Sequence, residues 1–197
     1  MSVVDTVKMA RVAAIEWLRV VSDAVGDVTG SSMRFKASDV SNPAVLANLL
    51  SSGLLPPMQC PVEISAVQRQ SIPSVSSNCH NLVLTIAQSG ERTLPDSLFV
   101  KLPMESLATR WFFSIINAWR LESHFFRHMA AHVPLRTPIT YATRCQGTRF
   151  FLVQENLHED PSVELFTNPD MVEGPSLELV HRGLDAFARL HACHYGI

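Results

Sequence analysis

The sequence predicts an α+β protein built on an antiparallel sheet, and three observations carry that expectation. Hydrophobic spacing changes from helical to two-residue alternation at Val62. Short apolar runs at 62–67, 82–86 and 97–102 follow one another without the intervening helices of a strand–helix–strand chain. Two more, at 139–144 and 148–154, flank Gln146-Gly147, a hairpin signal. The expected order is strand, strand, strand, one long helix, strand, strand, linker, helix, behind a helical N-terminal stretch.

Each element has a local reason. Ser2 or Asp5 can cap a first helix to about Val21, with Val4, Val7, Ile15, Leu18 and Val21 on one broad face; Gly26 and Thr29-Gly30-Ser31-Ser32 close it. A shorter helix over 43–50 starts at Pro43 and is stopped by Gly53 and Pro56-Pro57. In the first strand Val62, Ile64 and Ala66 alternate with Glu63, Ser65 and Val67. A polar loop, 71–80, leads to the second strand, and a turn over 88–92 leads to the third, which Pro103 closes. The long helix is expected over 106–132, on a stripe of Trp111, Ile115, Trp119, Phe126, Met129 and Val133. Residues 155–175 are polar and irregular, and a last helix spans 176–194.

Composition bounds the function classes. The 197 residues are 47% hydrophobic and 17% charged, the balance of a folded chain with a core of its own. Sixteen Lys and Arg against eighteen Asp and Glu give a net charge of -2, which argues against a nucleic-acid binder working by bulk charge. No apolar run reaches the roughly 18 residues of a membrane helix, and Lys8, Arg11, Glu16 and Arg19 interrupt any secretory signal core. A cytoplasmic protein with no nucleic-acid or membrane partner is expected. The cysteines at 60, 79, 145 and 193 form no Cys-x-x-Cys pair, so reduced thiols are expected rather than a disulfide framework or a zinc site.

Two charged residues stand out against apolar surroundings. In the third strand Phe99 and Lys101 share one face while Leu98, Val100 and Leu102 share the other. A cation in such a strand either pairs with something or faces water from a sheet edge. Glu122 falls inside the apolar stripe of the long helix, three past Trp119 and four before Phe126, whereas Arg120, His124 and Arg127 point away. A carboxylate there needs a partner or a cleft. A strand lysine fixed by an inward helix glutamate is an arrangement that holds nucleotide phosphates, the ammonium acting as a point charge.

The run Leu94-Pro-Asp-Ser-Leu-Phe-Val-Lys-Leu-Pro103 resembles the lysine strand of the aminoglycoside-phosphotransferase/choline-kinase superfamily, closest to its ecdysteroid-kinase-like branch. Arg120-Leu-Glu-Ser-His-Phe-Phe-Arg127 with Pro134-Leu-Arg-Thr-Pro138 is similar to the paired helix and its exit. Phe150-Phe-Leu-Val-Gln-Glu-Asn-Leu157 resembles the hinge strand, and Leu184-Asp-Ala-Phe-Ala-Arg-Leu-His191 the helix that opens the second lobe. The resemblance covers about 60–194, in the family's order.

It implies a protein-kinase-like N-terminal lobe at 56–157, preceded by a helical extension at 1–55 and followed by a linker and the first helix of a second lobe at 158–197. It further implies that Lys101 orients phosphates and Glu122 orients Lys101. The 71–80 loop, ending in Ser77-Asn78, would cover the phosphates, and Gln154, Glu155 and Leu157 would hold adenine. ATP and Mg²⁺ are the implied cofactors, in transfer to a small-molecule hydroxyl.

Departures are visible in the same residues. The 71–80 loop has no glycine, and Asn156 stands where the hinge aspartate usually is. The family's His-Gly-Asp catalytic loop and metal aspartate follow the last helix; none occurs in these 197 residues. His158-Glu159-Asp160 imitates the loop but lies directly after the hinge, with Leu165 at the asparagine position. The chain is therefore expected to carry a nucleotide-binding lobe without its catalytic loop or its Mg²⁺ ligands. The alternative is an inactive lobe serving as a binding or regulatory module, with a second lobe or protein partner covering exposed apolar surface. Among lesser candidates, His124, His128 and His132 step along the long helix and read as a solvated face rather than as metal ligands; His191, Cys193 and His194 form a small cluster, in which the resemblance makes His191 a helix-packing residue.

Overall fold

The structure is a computed structural model that describes residues 3–30, 36–55, 62–72, 79–89, 94–166 and 174–194. It contains helices α1 (Val3–Thr29) and α2 (Pro43–Gly53), then strands β1 (Ile64–Ile72), β2 (Cys79–Gln88) and β3 (Ser97–Pro103). Helices α3 (Leu107–Ile115) and α4 (Ala118–His128) follow, then β4 (Thr140–Gln146), β5 (Arg149–Glu155) and α5 (Leu177–His194). The five strands form one antiparallel sheet in the order β1-β2-β3-β5-β4. This is an α+β architecture. β3 is the central strand, which removes the edge-strand reading of Lys101.

Strand alternation gives the sheet two faces with different duties. Leu82, Leu84, Ile86, Leu98, Val100, Leu102, Phe151 and Val153 are buried on one side against Leu46, Leu49, Leu50 and Leu54. Asn42 caps α2 by accepting from the Ala44 and Val45 N–H groups, and Pro43 needs no hydrogen bond at the first position. The helix is then held by burial: each fully buried leucine contributes roughly 1.5–3 kcal/mol. Residues 36–55 thus belong to the same core as the sheet. On the opposite face Phe150 and Leu152 of β5 pack with Cys79 and with Trp119 of α4.

The first strand differs from the alternation expected of it. A bulge between Ile64 and Ala66 inserts one residue against β2, so Val67 turns inward beside Ile64 while Ala66 is exposed. One extra residue on one strand inverts every later side chain.

The long helix expected over 106–132 is also corrected. It is two helices, broken at Asn117, which adopts φ 54° and ψ 23°, and a 3-10 turn at Ala130–His132 follows α4. Ile115-Ile116 are weak helix formers and Asn tolerates the left-handed conformation. The break lets two aromatic residues meet different partners. Trp111 on α3 donates its indole N–H to Ala13 O at 2.8 Å and meets Trp17 edge-on. Trp119 on α4 instead stacks between Phe113 and Phe150.

Helix α1 is longer than its apolar pattern suggested, passing through Gly26 to Thr29, and it packs on α3. Its last turns are fastened to the β4–β5 hairpin by charge. Asp23 accepts from Thr148 N and Oγ1 at 2.7 and 2.8 Å and from Arg149 Nη1 at 2.7 Å. Asp27 takes Arg149 Nε and Arg110 Nη1, both at 2.9 Å. Gly147 turns the hairpin at φ +62°, where a Cβ would stand 2.5 Å from Asp23 Oδ2; both the backbone and the close approach demand glycine.

Candidate functional site

The register of the sheet assembles the site. Antiparallel partners directly opposite each other share a face. Ile72, Asn81, Lys101 and Leu152 therefore form one cross-strand row, and Gln70, Val83, Phe99, Gln154 and Thr140 form the next. The face that carries these rows is the one α4 packs against.

Lys101 and Glu122 meet there. The ammonium Nζ donates to both carboxylate oxygens, at 2.7 Å to Oε1 and 3.0 Å to Oε2. Both side chains are about a quarter exposed, 24% and 27%. The pair is therefore part-solvated. The Asn117 break aims α4 so that Trp119 and Ser123 are buried, leaving Glu122 at the border of the packed face.

Beside the pair lies a cavity of about 230 Å³ lined by Ile72, Asn81, Phe99, Gln154, Glu155 and Leu157, with Pro138, His158, Leu165 and Phe166 around them. Three residues singled out in the 150–157 run, Gln154, Glu155 and Leu157, thus share one cavity with the strand face that carries Lys101. Lys101 itself stands one row away from Phe99 and Gln154 and directly opposite Asn81. Ser77 and Asn78 lie outside the described residues.

Asn156 does work that an aspartate could not. Its Nδ2 donates to Ser97 Oγ and Glu159 Oε1, each at 3.0 Å, and its Oδ1 accepts the His158 N–H. Ser97 Oγ also donates to Glu159 Oε1 at 2.6 Å. A carboxylate at 156 would face Glu159 with nothing to donate. The asparagine ties the end of β5 to the start of β3 and so fixes one wall of the cavity. His158-Glu159-Asp160 is a structural turn in this setting: Glu159 is held by Ser97 and Asn156, while Asp160 takes Arg136 Nη2 at 2.8 Å and the Ser162 hydroxyl at 2.6 Å.

Other chemistry-bearing groups are less available. Burial pushes the Cys79 thiol up to about 11, against the opposing pull of the Lys101 ammonium, so it is a neutral packing group at ordinary pH. His124 and His128 lie 4.7 Å apart, centroid to centroid, on the exposed side of α4. Among the described residues no three His, Cys, Asp or Glu side chains gather to hold a metal ion. No described helix is long and apolar enough to cross a membrane.

Sequence reasoning missed Asn81, Ile72, Pro138, Leu165 and Phe166. Asn81 carried a signal of the kind that marked Lys101, a polar residue inside an apolar strand. The rest could be found only from register and from the path of the chain after β5. The chain matches no protein-family model, and comparison with curated proteins and with solved structures finds no relative.

Proposed function

We propose that this chain is the nucleotide-binding lobe of a kinase-like phosphotransferase, with ATP as its ligand and a small-molecule hydroxyl as the eventual acceptor. One observation carries the reading: an ammonium gripped by both oxygens of a helix carboxylate, one cross-strand row from a mostly apolar cavity lined by the hinge residues. The cavity would take the base, with Phe99 and Leu157 among its walls. Lys101 would hold phosphate oxygens, and Glu122 would fix the lysine in place while no phosphate is present. Mg²⁺ would arrive with the phosphates; the described residues offer it no ligand set. Binding and orientation are the work of these residues.

The test is thermal unfolding with and without ATP–Mg. A ligand present at 100 times its Kd stabilises by about 2.7 kcal/mol, so millimolar ATP should raise Tm by a few degrees, and Lys101→Met should remove the rise. An equal rise in the variant would take Lys101 out of the site. No rise at any ATP concentration would overturn the reading.

A second reading, an inactive binding module, is favoured by the surface of α5. Leu177, Leu184 and Phe187 are exposed at 72%, 62% and 62%, an apolar face of the kind that marks an interface. Under it the chain stays folded and shows no response to nucleotide.

A further inference from the structure

We propose that the outer face of α1 pairs with the α1 of a second copy of this chain, the two helices lying antiparallel. The pairing does not depend on the nucleotide reading.

The helix has two sides with different surroundings. Glu16 and Val20 are buried, and Asp23 and Asp27 hold Thr148, Arg149 and Arg110, so one side of α1 belongs to the lobe. The opposite side carries Val7, Leu18, Val21, Val25 and Val28, which are 63%, 69%, 41%, 59% and 89% exposed. With the exposed Arg11 and Ala14 between them, these positions run 7, 11, 14, 18, 21, 25, 28. Alternating steps of four and three are the seam of two helices that wrap around each other, narrower than the stripe of a helix laid on a sheet. The covering element is therefore a helix, and a second α1 supplies one of equal length and the same spacing.

Charge fixes the direction. In a parallel pair the two Arg11 side chains would share one layer of the seam, like charge against like charge. In an antiparallel pair that sets Leu18 of one copy against Val21 of the other, Ala14 meets Val25 and Arg11 falls at Val28. That is the last turn of the second helix, which has no basic residue of its own, and a cation is favoured beside the carbonyls of a helix C-terminus. The arrangement is two-fold symmetric, so both arginines are placed alike.

The area sets the strength. A valine or leucine side chain removes roughly 60–120 Å² from water when fully buried. The five on the seam, with Ile15 and Trp17 flanking it at 42% and 43% exposure, bring each copy to roughly half of the ~800 Å² per partner of a standard interface. That places the pair among weak, reversible contacts.

Sedimentation equilibrium of the full chain from about 1 to about 300 µM tests the pairing. The mean mass should climb from the 21.8 kDa of one chain toward twice that value. Leu18→Glu and Val25→Glu, each placing carboxylates inside the seam, should weaken association about 100-fold or more. Both sites are exposed in the single chain, so the circular dichroism of the variants should match the wild type. Val28→Glu should keep the dimer, because the new carboxylate meets Arg11 of the other copy, whereas a parallel pair would set the two new carboxylates against each other. A wild-type chain that stays at 21.8 kDa throughout overturns the proposal. A dimer untouched by both seam variants also overturns it and places the contact elsewhere, on the exposed face of α5 for example. A loss in Val28→Glu equal to that in Leu18→Glu overturns the antiparallel pairing.

Discussion

Arg149 of β5 and Asp23 of α1, 126 residues apart in sequence, are joined twice: Nη1 to Oδ1 at 2.7 Å and Nη2 to the Asp23 carbonyl at 2.6 Å. Arg149 is 4% exposed, and its Nε reaches Asp27, which also holds Arg110, itself 3% exposed. The network ties the last turns of α1 to the β4–β5 hairpin. It holds the turn end of the hairpin whose second strand supplies Gln154 and Glu155 at its other end.

Truncating that arginine takes one cationic partner from each of two carboxylates, leaving Asp27 with Arg110 and Asp23 with Thr148. Arg149→Met should destabilise the chain by about 1.5–3 kcal/mol, the loss expected when charge-assisted hydrogen bonds are removed from a buried site. Urea unfolding would report it as a lower midpoint at unchanged slope. A loss of less than about 1 kcal/mol would mean that α1 does not dock as described.

Asn117 tests the helix break. Since its φ is 54°, Asn117→Gly should be neutral or slightly stabilising, while Asn117→Ala should cost about 1–2 kcal/mol from the left-handed penalty. Thermal unfolding of the two variants gives the comparison. An alanine variant as stable as the glycine one would indicate an unbroken helix.

The turn after β5 has a titration signature. The Asp160 carboxyl is lowered from its ordinary 3.8 to about 2, first by the Ser162 hydroxyl and then by Arg136. A depressed carboxyl stabilises the turn fully above its ordinary value, and that contribution is lost as pH falls from about 4 through about 2. Carbon-detected NMR should place the Asp160 midpoint near 2, with Ser162→Ala raising it more than Arg136→Ala. A wild-type midpoint close to 3.8 would show that the turn is not formed in solution.

Much of the fold was legible because short-range patterns carry it. The alternation Leu98-Phe99-Val100-Lys101-Leu102 assigns both faces of β3, and Gln146-Gly147 marks the β4–β5 hairpin. The positions of Lys101 and Glu122, each a charge in an apolar period, were enough to suggest that they meet. Where the pattern failed, a non-local demand had won. Trp111 and Trp119 look like one stripe in sequence, but one is needed by α1 and the other by the sheet, and the chain breaks between them to serve both.

Spacing and residue type therefore settled the elements, the strand faces and the two opposite charges, since these depend on periodicities of two and 3.6 that any reader of the chain can count. Folding in space settled the bulge that turns Val67 inward, the break at Asn117, the α1 anchorage and the cavity wall where Asn81, Phe99 and Gln154 become neighbours. Those features are set by strand register and by contacts tens to more than a hundred residues apart, and no window along the sequence contains both partners.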